Sequence, residues 1–280
     1  MQFAKLEGLR NDFIVTHDLS EADIASLKRL APQLCDRRRG IGADSILAVL
    51  PPAAGEADFV MRTINADGSE AEMCGNGIRC VAVYANRVGL TDRATLTVET
   101  PAGLIRTWRT GDQVRVDMGA PVLDAARIPT TQPGGRVVMA PLVVDGQTFA
   151  VTAVSMGNPH AVIYRDDLTD ALVRGYGPKL ERHPFFPNRT NVEFINVMSD
   201  TEIQMRVWER GCGETAACGT GACASVVAGI LNGKHGPRVM VHLTGGDLLV
   251  EWDGDPAHAV FMTGPARWVF EGAVDLSAFD

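Results

Sequence analysis

Residues 61–80 read MRTINADGSEAEMCGNGIRC, and residues 205–224 read MRVWERGCGETAACGTGACA. An offset of 144 residues lays one on the other without a gap. Met61-Arg62 falls on Met205-Arg206, Glu70 on Glu214, Cys74-Gly75 on Cys218-Gly219 and Gly77 on Gly221. Downstream, residues 96–100 followed by Gly103 parallel residues 239–243 followed by Gly246. Single matches would be chance in a chain this rich in Gly and Ala. A strand-like run, a CGxG turn and a helix-like run in the same order twice indicate an internal duplication.

Each copy has the same local logic. Residues 58–65 and 202–209 interleave β-branched and bulky residues with polar ones, as strands do. A loop, the CGxG turn and a helix follow. Ile78, Val81, Ala82, Ala85 and Val88 recur at helical spacing, and Gly89 is a natural stop. In the second copy residues 222–231 are apolar almost all round and end at Asn232-Gly233. A helix apolar on every face belongs inside a domain.

Outside the repeat most of the signal is strand: residues 12–17, 45–50, 113–118, 148–155, 161–164, 192–197, 248–252, 259–262 and 267–270. A peripheral helix is expected over residues 21–34 with Ser20 as N-cap, and another within residues 168–176. Many strands around one central helix per half make the expected fold class α+β (α/β). The expected domains are residues 1–118, rejoined by a returning segment at 265–280, and residues 119–264. The Gly- and Pro-bearing stretch at 119–121 is the expected hinge.

The formal charge is −8 over 280 residues. An acidic chain is a poor match to nucleic acid or anionic lipid, so neither is expected as a partner. No apolar run approaches the roughly 20 residues of a bilayer span, and the start has no signal-peptide core. A cytoplasmic protein is the expectation. There, six cysteines are buried, catalytic or metal-bound more often than disulfide-bonded.

Cys74 and Cys218 each stand just ahead of a predicted helix. A free thiol titrates near pH 8.5, about the value for an unperturbed cysteine, and a helix N-terminus lowers it. The glycines let backbone N–H groups approach an anion such as a carboxylate. Two such devices facing each other suit proton transfer at one carbon: one thiolate removes a proton, and the opposite thiol returns one to the other face. That chemistry asks for no metal and no cofactor. A structural role fits Cys35, Cys80 and Cys223, but leaves the paired loops unexplained. Zinc is disfavoured by the spacing of Cys74, Cys80, Cys212, Cys218 and Cys223. GNG and GTG are too short for a phosphate loop and lack its lysine. A cysteine nucleophile paired with His160 would use one loop and ignore the other.

At this point the chain resembles the diaminopimelate epimerase family of pyridoxal-independent racemases, end to end. The resemblance is carried by residues 8–13 (GLRNDF), 40–44 (GIGAD), 65–69 (NADGS), 73–80 (MCGNGIRC), 155–160 (SMGNPH), Asn191, 209–215 (ERGCGET), 217–221 (ACGTG) and 262–265 (MTGP). CGNG together with ERGxGET and CGTG is a specific combination.

The resemblance implies two pseudo-symmetric domains, each a mostly antiparallel sheet or barrel wrapped around a central helix, with the active site in the inter-domain cleft. It implies interconversion of LL- and meso-2,6-diaminoheptanedioate in lysine and peptidoglycan-precursor biosynthesis, by a homodimer. Cys74 and Cys218 match the acid/base pair, with Cys218 as acceptor and Cys74 as donor in the LL-to-meso direction. His160 and Glu209 match residues that tune the cysteines. Gly75-Asn76 and Gly219-Thr220 match loops on the reacting carboxylate. Asn11, Asn65, Asn158, Asn191, Glu209 and Arg210 match other substrate contacts. A guanidinium such as Arg210 suits the distal carboxylate and asparagine oxygens suit its ammonium. Asn188 and Asn232 have no motif around them and read as turn residues.

Two positions depart from the family pattern. Arg10 replaces a common glycine, and Ser45 stands where some members carry a substrate-contacting glutamine. A racemase of another amino acid, such as histidine, would keep the cysteines and change the distal set, which here is complete. A proline-racemase-like chain would carry histidine after the first CG, and a PhzF-like protein would lack the paired cysteines. A redox-sensing binding protein would leave the substrate set a coincidence.

Overall fold

The computed structural model describes residues 1–52, 55–71 and 74–279. Glu72 and Met73, part of the repeat and of the resemblance, lie outside the described residues. Along the chain run β1 (Gln2–Gly8), β2 (Asn11–Thr16), α1 (Glu21–Leu34), β3 (Ser45–Leu50), β4 (Phe59–Asn65), β5 (Glu70–Ala71), α2 (Gly75–Arg87), β6 (Thr95–Thr100), β7 (Gly103–Thr110) and β8 (Gln113–Asp117). Then come β9 (Ala140–Val144), β10 (Gln147–Ser155), β11 (Pro159–Tyr164), α3 (Asp170–Glu181), β12 (Asn191–Ser199), β13 (Glu202–Glu209) and β14 (Gly213–Thr215). The chain ends with α4 (Gly219–Leu231), β15 (Arg238–Leu243), β16 (Gly246–Glu251), β17 (Phe261–Pro265), β18 (Arg267–Ala273) and a 3-10 turn at Leu276–Phe279.

Two compact units result. The first holds Met1–Val116 and the stretch from Gly264 onward; the second holds Asp117–Thr263. In the first, strands neighbour one another in the order β18-β1-β2-β3-β4-β6-β7-β8, with β5 folded back on β4. The second repeats this strand for strand as β9-β10-β11-β12-β13-β15-β16-β17, with β14 folded back on β13. Each sheet is mostly antiparallel with two parallel pairs, β2–β3 and β4–β6 in one, β11–β12 and β13–β15 in the other. Parallel neighbours need a crossover. The four helices supply those crossovers.

Each sheet is covered on both faces. Outside, α1 buries Ile24, Leu27, Leu30 and Leu34 against Ile14, Ile46, Ala48 and Ile64. Likewise α3 buries Leu172, Val173 and Leu180 against Phe149, Ile163 and Phe194. Inside, α2 packs on β1, β2, β3, β4, β7 and β18, and α4 on β10, β11, β12 and β16. Every residue of α4 from Gly221 to Gly229 is buried, which explains its all-round apolar sequence. β3 and β12 lie between two helices. They therefore read as continuous buried runs rather than alternating ones.

The sequence reading holds for α1, which starts at the Ser20 capping box with Asp23, and misses or misplaces several other features, among them β7. It has no strand at β1, because Lys5 and Glu7 interrupt the apolar residues; Lys5 is in fact buried on Asp12 at 2.9 Å. It has no strand at β9. It ends the second peripheral helix at residue 176, whereas α3 runs through Pro178 to Glu181, held by Leu172, Val173 and Leu180. It places a strand at 259–262 that lies two to three residues later, as β17. The stretches before the CGxG turns, expected as loops, contain β5 and β14.

Arg10 sits in the two-residue turn of the β1–β2 hairpin, where Leu9 and Arg10 both have positive φ (58° and 68°). That is the type I′ pattern, which favours Asn and Gly. The left-handed region costs a bulky residue about 1–2 kcal/mol. Arg10→Gly should therefore raise the unfolding free energy by about 1 kcal/mol, read as a higher urea midpoint at unchanged slope.

Candidate active site

In both units the CGxG cysteine is the N-cap of the inner helix. Cys74 has φ −136° and ψ 104°, and Gly77 N–H donates to its Sγ at 3.3 Å. Cys218 has φ −131° and ψ 109°, and Gly221 N–H donates to its Sγ at 3.4 Å. A helix start leaves its first N–H groups without intrahelical partners. Here sulfur takes one of them, and the N–H groups of Gly75, Asn76, Gly219 and Thr220 lie in the same first turns. Glycine at the third helical position is a packing requirement: a Cβ on Gly77 would sit 3.1 Å from Leu47 Cδ2, and one on Gly221 would sit 2.8 Å from Glu193 Oε1.

The hairpin before each cysteine is braced alike. Arg62 Nε donates to Glu70 Oε1 at 2.6 Å, and Glu70 also takes Lys28 at 2.8 Å. Arg206 Nε donates to Glu214 Oε1 at 2.9 Å, and Glu214 also takes Arg174 at 2.7 Å. The repeat therefore conserves an ion-pair brace as well as the thiol it presents.

Beside Cys74 stand Asn11 and Asn76, while Asn65 and Ser45 pair with each other across β3 and β4. Asn11 Oδ1 accepts from Asn76 Nδ2 at 3.3 Å and from the Cys74 thiol at 3.9 Å, while Asn11 Nδ2 donates to Asp44 at 2.9 Å. Asn65, at the end of β4, donates to Ser69 Oγ at 3.0 Å and accepts from Ser45 Oγ at 3.5 Å. Sequence reasoning gave no role to Arg79. Its fully buried guanidinium holds Asn76 Oδ1 at 3.0 Å, Gly75 O at 3.1 Å and Pro265 O at 3.1 Å. The signal was present: an arginine on the apolar face formed by Ile78, Val81, Ala82 and Ala85.

Around Cys218 the structure gathers Asn158, His160, Glu209 and Thr220. His160 is fully buried, with Nε2 2.9 Å from Asn158 Oδ1 and Nδ1 2.7 Å from Glu193 Oε1. Glu209, at the end of β13, bonds Thr215 Oγ1 and the Cys218 thiol. Burial raises its carboxyl above the usual carboxylate range. Thr220 Oγ1 is 3.5 Å from Cys218 Sγ. Glu193 was not singled out from the sequence, where it reads as one residue of an apolar strand.

Two expectations change in character. Asn191 is buried and engaged at both ends of its amide, donating to Pro159 O at 2.9 Å and accepting from Arg210 N at 2.9 Å. It anchors the backbone of Arg210, whose guanidinium is exposed and approaches Asn188 O at 3.5 Å. The second expectation is that the helix N-terminus lowers the cysteine pKa. For Cys218 the opposite holds. Burial, then the charges of Glu209 and Glu193, push the thiol well up, and the bonds from Thr220 and Gly221 only partly offset them.

The other cysteines are structural or peripheral. Cys35, Cys80 and Cys223 are buried, and burial pushes the Cys35 thiol up to about 11; Cys212 is exposed. All six are thiols. Among the described residues no helix is long and apolar enough to cross a membrane, and no group of three or more His, Cys, Asp or Glu is placed to hold a metal ion.

The duplicated fold is shared with racemases and epimerases. It aligns with a probable proline racemase from Agrobacterium radiobacter K84 at a TM-score of 0.72 and 17% identity, covering 100% of this chain and 94% of that one. A hydroxyproline epimerase from Agrobacterium vitis aligns at 0.71 and 16%, covering 97% and 91%. At sequence level the match is narrower in kind. The diaminopimelate epimerase family model matches residues 3–123 and 152–269. The diaminopimelate epimerase of Desulforudis audaxviator is 54% identical over 97% of this chain and 98% of its own length. That of Synechocystis sp. is 47% identical over 99% of both. The chain belongs to the diaminopimelate epimerase family.

Arg79 gives this site its most direct stability test. Arg79→Met keeps the volume and strands Gly75 O, Asn76 Oδ1 and Pro265 O without that donor. The unfolding free energy should fall by about 1–3 kcal/mol, the cost of leaving the buried Asn76 amide oxygen without its donor, measured by urea denaturation.

Proposed function

We propose that the chain is an isomerase that converts LL-2,6-diaminopimelate to meso-diaminopimelate by two-base proton transfer. The observation that carries this is the duplicated thiol cap: two cysteines in the same backbone state, each taking an N–H from the third residue of a buried helix. Family membership and 54% identity to a named diaminopimelate epimerase over nearly the full chain support the substrate.

Cys74 and Cys218 are the acid/base pair and serve opposite faces of the α-carbon. Each cycle moves one proton from carbon to one sulfur and one from the other sulfur to carbon, so no net charge is gained. The intermediate carries its charge into the α-carboxylate. The first-turn N–H groups of Gly75-Asn76 and Gly219-Thr220 stabilise it there, as backbone donors at helix starts do for anions. Arg210 takes the distal carboxylate; Asn11, Asn65, Asn158 and Glu209 line the rest, and Asn191 sets Arg210. His160 and Glu209 tune Cys218. The reaction draws on the two thiols alone, without metal or cofactor. The same reading makes the enzyme a cytoplasmic homodimer in lysine and peptidoglycan-precursor synthesis.

A thiol held protonated suits Cys218 to the meso-to-LL direction, in which it is the donor and Cys74 the acceptor. Cys74→Ala and Cys218→Ala should each lose epimerisation by about 10²- to 10⁴-fold or more, the range for a positioned acid or base. In D₂O, Cys74→Ser should retain slow α-deuterium exchange into the LL isomer, and Cys218→Ser into the meso isomer, each followed by NMR. The reverse pattern exchanges the two roles. An alanine variant of either cysteine that epimerises near the wild-type rate ends the two-base reading.

A further inference from the structure

The two units differ in kind at one place beside their thiol loops. In the first, β2 and β3 run parallel with Phe13 opposite Ser45 and Val15 opposite Leu47. In the second, β11 and β12 run parallel with His160 opposite Asn191 and Val162 opposite Glu193. Leu47 and Glu193 are therefore structural equivalents, and each lies against the third helical glycine of its loop, Gly77 or Gly221. Where the first unit sets Phe13 and Leu47, the second sets an imidazole and a carboxylate. All four side chains are buried.

Glu193 is costly where it stands. Its Oε1 is 2.7 Å from His160 Nδ1, and its buried Oε2 has no hydrogen-bond partner. Removing a carboxylate from water costs several kcal/mol unless its oxygens are satisfied. The first unit closes the same fold with two apolar side chains, so the architecture itself does not require this pair. What the second unit has beside the pair is Cys218.

We propose that Glu193, set against Gly221 and held by His160, is a positioning residue for the second thiol loop that governs the reactivity of Cys218. This rests on the reading of Cys218 as one of the two acid/base thiols. Four groups act on that sulfur, Glu209 from β13, Glu193 from β12, and the Thr220 hydroxyl and Gly221 N–H of α4, and His160 from β11 stands behind Glu193. Glu209 and Glu193 oppose a thiolate, while Thr220 and Gly221 favour it. His160 acts through Glu193, since its Nδ1–H tempers the carboxylate's charge. Removal of Glu193 and removal of His160 must then move Cys218 in opposite directions, a pattern that lost packing cannot produce.

The test needs no substrate. The full-length protein is alkylated with iodoacetamide from pH 6 to pH 10, a window of about two units around the ordinary thiol value, and the Cys74 and Cys218 peptides are quantified by mass spectrometry. Glu193→Gln should speed Cys218 alkylation at neutral pH by about tenfold, the effect of one nearby charge, and move its pH midpoint down. His160→Gln should slow it and move the midpoint up. Cys74 in the same samples should not change. Equal directions for the two variants, an unmoved Cys218 midpoint, or an equal change at Cys74 would each overturn the proposal. The double variant His160→Phe with Glu193→Leu copies the first unit. It should fold with at least wild-type stability and show fast Cys218 alkylation; failure to fold would make the pair structural and overturn the proposal. If alkylation behaves as expected but Cys218→Ala still epimerises, the two-base reading fails while the action of Glu193 on the thiol stands.

Discussion

A helix that begins deep in a sheet-wrapped core must have its first N–H groups satisfied there, and in both units a cysteine sulfur helps to do it. The rest of the fold serves that constraint. α2 and α4 can be buried because the strands surround them, and their starts can stay polar because the preceding hairpins, β4–β5 and β13–β14, deliver Cys74 and Cys218 in extended conformation at the cap. The Arg62–Glu70 and Arg206–Glu214 pairs fasten those hairpins to the outer helices through Glu21, Lys28, Asp170 and Arg174. A sulfur cap is a weak hydrogen-bond acceptor compared with Ser or Asp. Finding it twice at the same place fits the proposed acid/base role, since helix stability alone would favour Ser or Asp there.

Much of this was legible from the chain because the decisive signals are local. The CGxG turns, the helical spacing after Cys74 and the Ser20 start of α1 each rest on residues within one or two turns of one another. The duplication extended that legibility, since a pattern seen twice outweighs the ambiguity of either copy. What escaped notice depends on pairing across the sheet. β1 reads as polar because Lys5 is neutralised by Asp12, which belongs to the next strand. α3 continues through Pro178 because Leu180 belongs to the core beyond it.

The site divides along the same line. Cys74, Cys218, Asn11, Asn65, Asn158 and Glu209 announce themselves by motif. Arg79 and Glu193 do not, since each is charged and lies within an apolar run whose neighbours suggest simple burial. Only strand register shows that Glu193 stands where Leu47 stands in the other unit. Asn191 was legible as a special residue, but not that its amide also ties Pro159 to the backbone of Arg210.

The corresponding positions of the two halves show how a duplicated fold can become functionally asymmetric without altering its frame. Asn65 and Glu209 end equivalent strands, Ser45 and Asn191 begin equivalent strands, and Phe13 and His160 occupy equivalent register positions. At each of these three pairs the second unit carries the more polar or more ionisable residue. Beside Cys74 stand the amides of Asn11 and Asn76, backed by Arg79 and by Asp44 on Asn11; beside Cys218 stand Glu209 and Glu193, the latter paired with the His160 imidazole. An epimerase needs one proton acceptor and one donor at the same moment. Two identical thiol sites would leave the placement of the single proton undecided, with half the molecules in the wrong form for either isomer. Glu209 and Glu193 disfavour a thiolate at Cys218, and no carboxylate stands at the position of Glu193 in the first unit, where the residue is Leu47. The differences that duplication left between the units are thus concentrated beside the two sulfurs, where the proposed two-base reaction needs them to be unlike.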